Sequence, residues 1–442
     1  MGITAIAITK LFGYFDPVVN LKTKDRITII HGPNGVGKTT ILRLVRDLFA
    51  SRFSSLFTTP FEKMVIQLGS EGTLTVAKGS EPKKTDLPKI TLTFRAADGK
   101  TTEHTIGRIS QHPSQRSLPL SIIERIIPFV ERISPEAWID KRTGRVLSFE
   151  EIVLRFGDQL PTEIKELVQK LPARLLEVLN SVTVSLIETQ RLFTEPPRDA
   201  ADPRRRSPEV QTRMTVEQYS EDMVSNIQQR LRDSGSLAAS LDREFPQRML
   251  ETHLPTDATE ENIRRLYGEQ ADYRNRLMES GLIDPETQVF LPSGHIGEME
   301  RKVLWIYLND VQKKLQLFDF LLARVELLRD IINKRFQYKE LTVKKEKGFL
   351  FLSNHDKSEV PLTALSSGEQ HELVLTYDLL FKARKNSLVF IDEPELSLHV
   401  SWQRKFLEDI GRISELADLD FVIATHSPSI IHNRRDLMVG LP

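Results

Sequence analysis

The hydrophobic pattern of this chain changes period several times along its length. Short apolar runs at 3–8, 18–21 and 27–30 predict strands. The third, broken only by Thr28, is apolar on both faces, as a buried parallel strand requires. After residue 39, Ile41, Leu42, Leu44 and Val45 take up helical spacing. Runs at 64–68, 73–76 and 90–94, set off by turns such as 97–99, predict an antiparallel sheet. From about 105 to 180 the spacing reads as helical and proline-punctuated, with Ile122, Ile126 and Val130, then Leu167, Leu171, Leu175 and Leu179. Val182, Val184 and Leu186 alternate again and lead into Glu188-Thr189-Gln190-Arg191.

A polar, Pro/Arg-rich tract at 194–213 reads as an exposed linker. Its Arg204–Arg206 triplet is either a solvated loop or a contact for phosphate or an acidic partner. Residues 215–336 read as helical. Leu304, Leu308, Val311, Leu315, Phe318, Leu322 and Val325 step by four and three, and Leu328 and Ile332 continue the series. This predicts one long helix whose apolar seam packs on segments near 216–232 and 261–279, or on a globular core. Beyond Phe336, runs at 340–343 and 348–352 predict a hairpin, followed by a helix at 373–381. An apolar strand at 388–391, a helix at 402–413 and a last strand at 421–424 complete the pattern.

The candidate chemistry sits where strands end. Gly32-Pro33-Asn34-Gly35-Val36-Gly37-Lys38-Thr39-Thr40 lies between a predicted strand and a predicted helix and has the G-x-x-x-x-G-K-T spacing of a P-loop. Its glycines let the backbone turn tightly, so that N–H groups from Asn34 to Thr40 face a polyphosphate at a helix N-terminus. Lys38 is placed to reach the β- and γ-phosphates, and the Thr39 hydroxyl to ligate Mg²⁺. The chain is therefore expected to bind a nucleoside triphosphate with Mg²⁺. Phe12 and Phe15, just ahead of this loop, either stack on the base or belong to the core. The 388–391 strand closes on Asp392-Glu393, a metal-holding carboxylate followed by one that polarises the attacking water. His426 ends the next strand, within reach of a γ-phosphate.

Composition narrows the partners. Lys+Arg and Asp+Glu are equal at 61 each, so no global charge argues for nucleic acid or a membrane. There are no cysteines, which excludes disulfides, cysteine metal sites and thiol catalysis. No run approaches a membrane span and no signal sequence is evident, so a cytoplasmic location is expected.

Leu365-Ser366-Ser367-Gly368-Glu369-Gln370 resembles the signature motif of ABC-type ATPases in the SMC, RecF and OLD branch. The resemblance implies an α/β, ABC-type P-loop ATPase head of two lobes and mixed sheet, interrupted by a helical insertion with a short coiled-coil-like arm. The implied divisions are 1–193 (N-terminal lobe), 194–336 (linker and helical insertion) and 337–442 (C-terminal lobe). It implies Gln190 as a Q-loop ligand near Mg²⁺ beside Thr39 and Asp392. Ser366 and Gly368 would complete the site of a second subunit in a head-to-tail ATP-sandwich dimer. Ser397 would lie in the D-loop, Glu393 would be the catalytic carboxylate and His426 the switch histidine. Ser367 departs from the second glycine that many members carry.

The strings Ala364 to Leu373, Asp392-Glu393-Pro394-Glu395-Leu396-Ser397-Leu398-His399 and Thr425-His426-Ser427-Pro428 look like OLD-like ATPases of bacterial defence islands. They are most similar to the ATPase subunit of PARIS-type anti-phage systems. That resemblance implies a sensor and scaffold that forms a homo-oligomer, holds a separate Toprim nuclease and releases it when a phage-encoded trigger protein binds. The sequence stops soon after His426 without a Toprim domain, which fits a separate nuclease. The alternatives are a RecF-like repair ATPase that binds duplex DNA, which the balanced charge disfavours, and a subunit paired with an HNH nuclease.

Overall fold

The structure, a computed structural model, describes residues 2–79, 89–106, 121–134, 137–142, 144–156, 159–160, 171–188, 214–251, 253–285, 291, 293–396 and 398–441. They form two compact units, 1–189 with 383–442, and 190–382. Gln190, Ser397, Leu167 and the 194–213 tract fall outside the described residues.

The first unit opens with β1 (Ala5–Thr9), β2 (Val18–Asn20) and β3 (Ile27–His31). β3 runs into the glycine-rich loop and α1 (Lys38–Phe49). Ile41, Leu42, Leu44, Val45 and Leu48 on α1 are fully buried, each contributing about 1.5–3 kcal/mol of apolar burial. The helix stops at Ala50, and Ser51 takes a left-handed conformation at φ 54° that turns the chain away. After α2 (Ser54–Thr58) come β4 (Lys63–Leu68), β5 (Gly72–Lys78), β6 (Ile90–Ala96) and β7 (Thr101–Ile106). With β1 and β2 they form the expected antiparallel sheet, in the order β2-β1-β4-β5-β6-β7. Register follows the alternation: Ile6, Ile66, Leu74, Phe94 and their period-two neighbours turn to the core.

Among the described residues of 105–180, the expected helices are present around Ile122 and Ile126 and around Leu175 and Leu179, but strands interrupt them. α3 (Ser121–Ile126) is followed by β8 (Val130–Ser134), β9 (Ala137–Asp140) and β10 (Arg145–Ser148), a three-stranded antiparallel sheet. Val130 continues the i, i+4 series from Ile126 by coincidence, because α3 has already ended. Helices α4 (Phe149–Phe156) and α5 (Ala173–Ser181) lead to β11 (Val184–Ile187).

The second unit is helical first and then β. α6 (Thr215–Glu251) is the longest element and contains Pro246. Proline removes a donor and crowds the preceding turn. Nearby, the Arg248 guanidinium donates to the Leu241 carbonyl at 2.7 Å and grips Asp310 at 2.5 and 2.7 Å. α7 (Glu260–Glu279), capped by the Thr259 hydroxyl, and α6 both pack on α8 (Glu298–Gln316). The single long helix expected over 304–332 is two: α8 ends at Gln316, and α9 (Asp319–Arg335) starts after Phe318. Leu317 and Phe318 keep right-handed helical dihedrals, so the apolar series passes through the break undisturbed. β12 (Lys339–Lys344), β13 (Gly348–Ser353) and β14 (Glu359–Val360) form a small antiparallel sheet, and α10 (Ser367–Tyr377) follows. Inside this unit the side chains of Arg335 on α9 and Glu372 on α10 form a buried ion pair.

The chain returns to the first unit at β15 (Leu388–Asp392), buried at every position. The predicted 402–413 helix is two pieces, α11 (Val400–Gln403) and α12 (Phe406–Ala417). β16 (Asp420–Ala424) and the short α13 (Pro428–Ile431) lead to β17 (Met438–Gly440), so 421–424 is not the last strand. β11-β15-β16-β3-β17 form an all-parallel sheet. α1 packs on it, and Ile30, Phe390 and Val422 share one core with the inner face of the antiparallel sheet. The parallel arrangement places the ends of β3, β15 and β16 side by side, where ligands of α/β sheets bind.

Candidate functional site

The loop after β3 has the backbone that a phosphate cradle needs. Gly35 and Gly37 lie at φ 85° and 95°, a region costly for other residues. Gly37 is also packed over: a Cβ there would lie 2.7 Å from Leu11 Cδ2 and 3.1 Å from Phe12 Cε2. Phe12 thus rests against the loop, and both Phe12 and Phe15 are partly buried against the core of the first unit, the second of the two roles expected for them. Val36 is buried, whereas Pro33, Asn34 and Gly35 are exposed, and Thr39 and Thr40 are half-buried at the start of α1. α1 has no side-chain cap and no acidic residue in its first turn, so its N-terminal N–H groups favour an anion.

Lys38 is only 5% exposed, and its ammonium donates to the carbonyls of Gly32 (3.0 Å) and Pro33 (3.1 Å) and to His426 Nε2. Burial pulls its pKa below the ordinary lysine value, against the charges of Glu393, Asp392 and Glu395. A cation made costly by burial and surrounded by acceptors suits a polyphosphate.

Thr39 donates its hydroxyl to Asp392 Oδ1 at 3.1 Å. Asp392 ends β15, is 7% exposed, and burial pushes its carboxyl above the usual aspartate range; the Thr39 hydrogen bond and the Arg43 charge pull the other way. Hard oxygen donors of a hydroxyl and a carboxylate fit Mg²⁺, and a buried carboxylate pushed up in this way is one that a cation would relieve. Glu188, the residue after β11, lies beside Asp392 in register and is held by Arg43 at 3.3 Å and Arg46 at 3.4 Å. Glu188 has no assigned role in the sequence pattern. A carboxylate next to a lone Gln carries no specific signal.

Glu393 adopts φ 44°, a strained conformation for a non-glycine residue, and its N–H donates to the Ala424 carbonyl at 2.8 Å. That hydrogen bond joins the tips of β15 and β16, and Glu393 Oε1 comes within 3.5 Å of His426 Nε2. Lys38, Thr39, Asp392, Glu393 and His426 are thereby brought together within the first unit. Ser366 and Gly368 belong to the second unit. There Ser366 caps α10 in a reciprocal box: its hydroxyl accepts from Glu369 N–H, and Glu369 Oε2 accepts from the Ser366 N–H at 2.7 Å. Ser366 is exposed, and Gly368 lies in the first turn of the helix. Lys339 holds Glu369 at 2.7 Å.

Residues 221–432 match an AAA domain family. Its description reads AAA domain, putative AbiEii toxin, Type IV TA system. The matched AAA domain spans the capped Ser366 turn, Asp392, Glu393 and His426 and starts after the P-loop. No curated protein matches the chain. Solved structures that match include the Smc head domain of Pyrococcus furiosus with an extended coiled coil bound to the C-terminal domain of ScpA. That likeness is 13% identical, covers 99% of this chain and 92% of the other, and has a TM-score of 0.35. The SMC head domain of Thermotoga maritima matches at 11% identity, covering 100% and 94%, with a TM-score of 0.33. The molecule itself has a mixed α/β fold, with an antiparallel sheet beside an all-parallel sheet whose β3 leads into the glycine-rich loop and α1.

Proposed function

We propose that this chain binds and hydrolyses ATP as an ABC-type ATPase, and that it acts in the cytoplasm as the sensor and scaffold of an anti-phage defence system. The observation that carries the ATPase reading is the convergence of Lys38, Thr39, Asp392, Glu393 and His426 at the tips of adjacent parallel strands. ATP would be the substrate. The N–H groups of the loop and α1 would take its phosphates, Lys38 would neutralise them, and Thr39 and Asp392 would hold Mg²⁺, with Gln190 nearby. Mg²⁺, when bound, would supply charge neutralisation on the phosphate oxygens. Glu393 would orient and deprotonate the attacking water, and His426 would donate toward the γ-phosphate and register its loss. The exposed Ser366 and the half-buried Gly368 at the start of α10 would serve the site of a second copy, giving a head-to-tail dimer and a higher homo-oligomer.

The sensor reading rests on the resemblance of the motif strings to defence ATPases. The matched family's description, a putative toxin of a toxin–antitoxin system, is in keeping with it. Among the described residues no helix is long and apolar enough to cross a membrane, so no membrane role is invoked. The test is co-purification from the native operon, with assembly mass read by mass photometry with and without ATP. A large assembly carrying a Toprim-type nuclease supports the proposal. A lone ATPase that dimerises with ATP and shifts duplex DNA would replace it with the repair reading.

A further inference from the structure

A third carboxylate, Glu395, ties the strand end that bears Glu393 to the strand end that bears His426. The chain makes a 3-10 turn over Pro394–Leu396 and brings the Glu395 side chain back to the tip of β16. One oxygen, Oε2, accepts from the Thr425 hydroxyl at 2.8 Å. The other, Oε1, accepts from the His426 backbone N–H at 2.7 Å. Thr425 is fully buried, and its hydroxyl also accepts from the Ser427 N–H at 3.0 Å. The Ser427 hydroxyl donates to Gln403 Oε1 at 2.7 Å, and Gln403 Nε2 donates to the carbonyls of Leu398 (3.2 Å) and Glu395 (3.4 Å). The polar ring therefore returns to the residue where it began.

This ring fixes three successive residues of the His426 segment against the Glu393 segment. Ala424 accepts from the Glu393 N–H, Thr425 donates to Glu395, and the His426 N–H donates to Glu395. The position of the imidazole, with Nε2 facing Lys38 and Glu393, follows from where its backbone is held. Hydrogen bonds to an ionised carboxylate are shorter and roughly twice as strong as neutral ones. Glu395 adds its charge to those of Asp392 and Glu393 around Lys38, while its side-chain hydrogen bonds go to Thr425 and the His426 backbone, so that it orients the site through His426.

We infer that Glu395 is a positioning residue for ATP hydrolysis, holding the His426 backbone so that the imidazole stays registered with Lys38 and Glu393. The inference rests on the ATPase reading above. Misplacement of a reacting group by about 1 Å can cost on the order of a hundredfold in rate. Glu395→Ala should therefore lower kcat by about ten- to a hundredfold while KM and the affinity for ATP measured in EDTA stay within about twofold. Glu395→Gln keeps an acceptor for the His426 N–H and should recover most of the loss. In hydrogen-exchange mass spectrometry without nucleotide, the peptide covering 424–428 should exchange faster in Glu395→Ala and as wild type in Glu395→Gln. This arm needs no turnover.

Turnover of Glu395→Ala within twofold of wild type, beside an inactive Lys38→Ala, would overturn the positioning role and leave the ATPase reading intact. Unchanged exchange at 424–428 in Glu395→Ala would overturn it equally. Wild-type turnover in Lys38→Ala would remove the ATPase reading, and this inference with it.

Discussion

Gly37→Ala tests whether the loop backbone, and not merely the Lys38 charge, makes the nucleotide site. Gly37 lies at φ 95°, where an L-residue costs roughly 1–2 kcal/mol. The added methyl would stand 2.7 Å from Leu11 Cδ2 and 3.1 Å from Phe12 Cε2. Leu11 is fully buried, so its side chain cannot swing into solvent, and overpacking of this kind costs about 1–3 kcal/mol. Together these give about 2–5 kcal/mol, which for a unit of this size lowers the Tm by roughly 5–15 °C. Relaxation of the loop to escape the contact would also turn its N–H groups away from the phosphates. The assay is thermal unfolding paired with titration of a fluorescent ATP analogue. A second-site change, Leu11→Ala, vacates the volume the new methyl needs, so the double variant should be less destabilised than the sum of the two single changes. A coupling of about 1 kcal/mol or more is expected for groups in direct contact. Additive effects, or ATP affinity within threefold of wild type in Gly37→Ala, would refute the reasoning.

Two further predictions concern the second unit. Arg335→Met leaves Glu372 buried without its cation and should cost about 3–5 kcal/mol in urea unfolding, whereas Arg335→Met with Glu372→Leu should recover most of it. Burial pushes the Glu369 carboxyl up, but the Lys339 ammonium and the Ser366 N–H and hydroxyl outweigh burial and hold it below the ordinary glutamate range. A depressed carboxylate stabilises the folded state above its unfolded pKa, and that contribution is lost as pH falls through the folded value. The α10 cap should therefore loosen only below about pH 4.5, the ordinary glutamate value. In Lys339→Met the Glu369 carboxyl should titrate at higher pH by NMR.

How much of this was legible in the sequence follows from which signals are local. The apolar run 27–30 and the spacing Gly32 to Thr39 read directly, because strand, turn and helix each leave their own pattern over a few residues. The tip of β15 was equally plain, since four uninterrupted apolar residues mark a doubly buried strand. By contrast, β8 to β10 were hidden because Val130 falls four residues after Ile126 and extends a helical series that the backbone does not follow. The α8–α9 break was hidden for the opposite reason. No glycine or proline marks Leu317 and Phe318, and Asp319, an acid in the first turn of α9, is a weak signal. β17 is three residues long and acquires its meaning only by pairing with β3, more than 400 residues earlier. Glu188, Arg43 and Glu395 belong to the site through cross-strand neighbours and a returning turn, which no linear spacing encodes.

Single-turnover hydrolysis with enzyme in excess over radiolabelled ATP and Mg²⁺, comparing wild type with Glu393→Gln, tests the central claim most directly. The expected result is equal binding of ATP by both proteins and conversion to ADP at least about a hundredfold slower in Glu393→Gln, the scale of a lost general base. Conversion at the wild-type rate by Glu393→Gln would contradict it, because the carboxylate at the tip of β15 would then have no part in activating water.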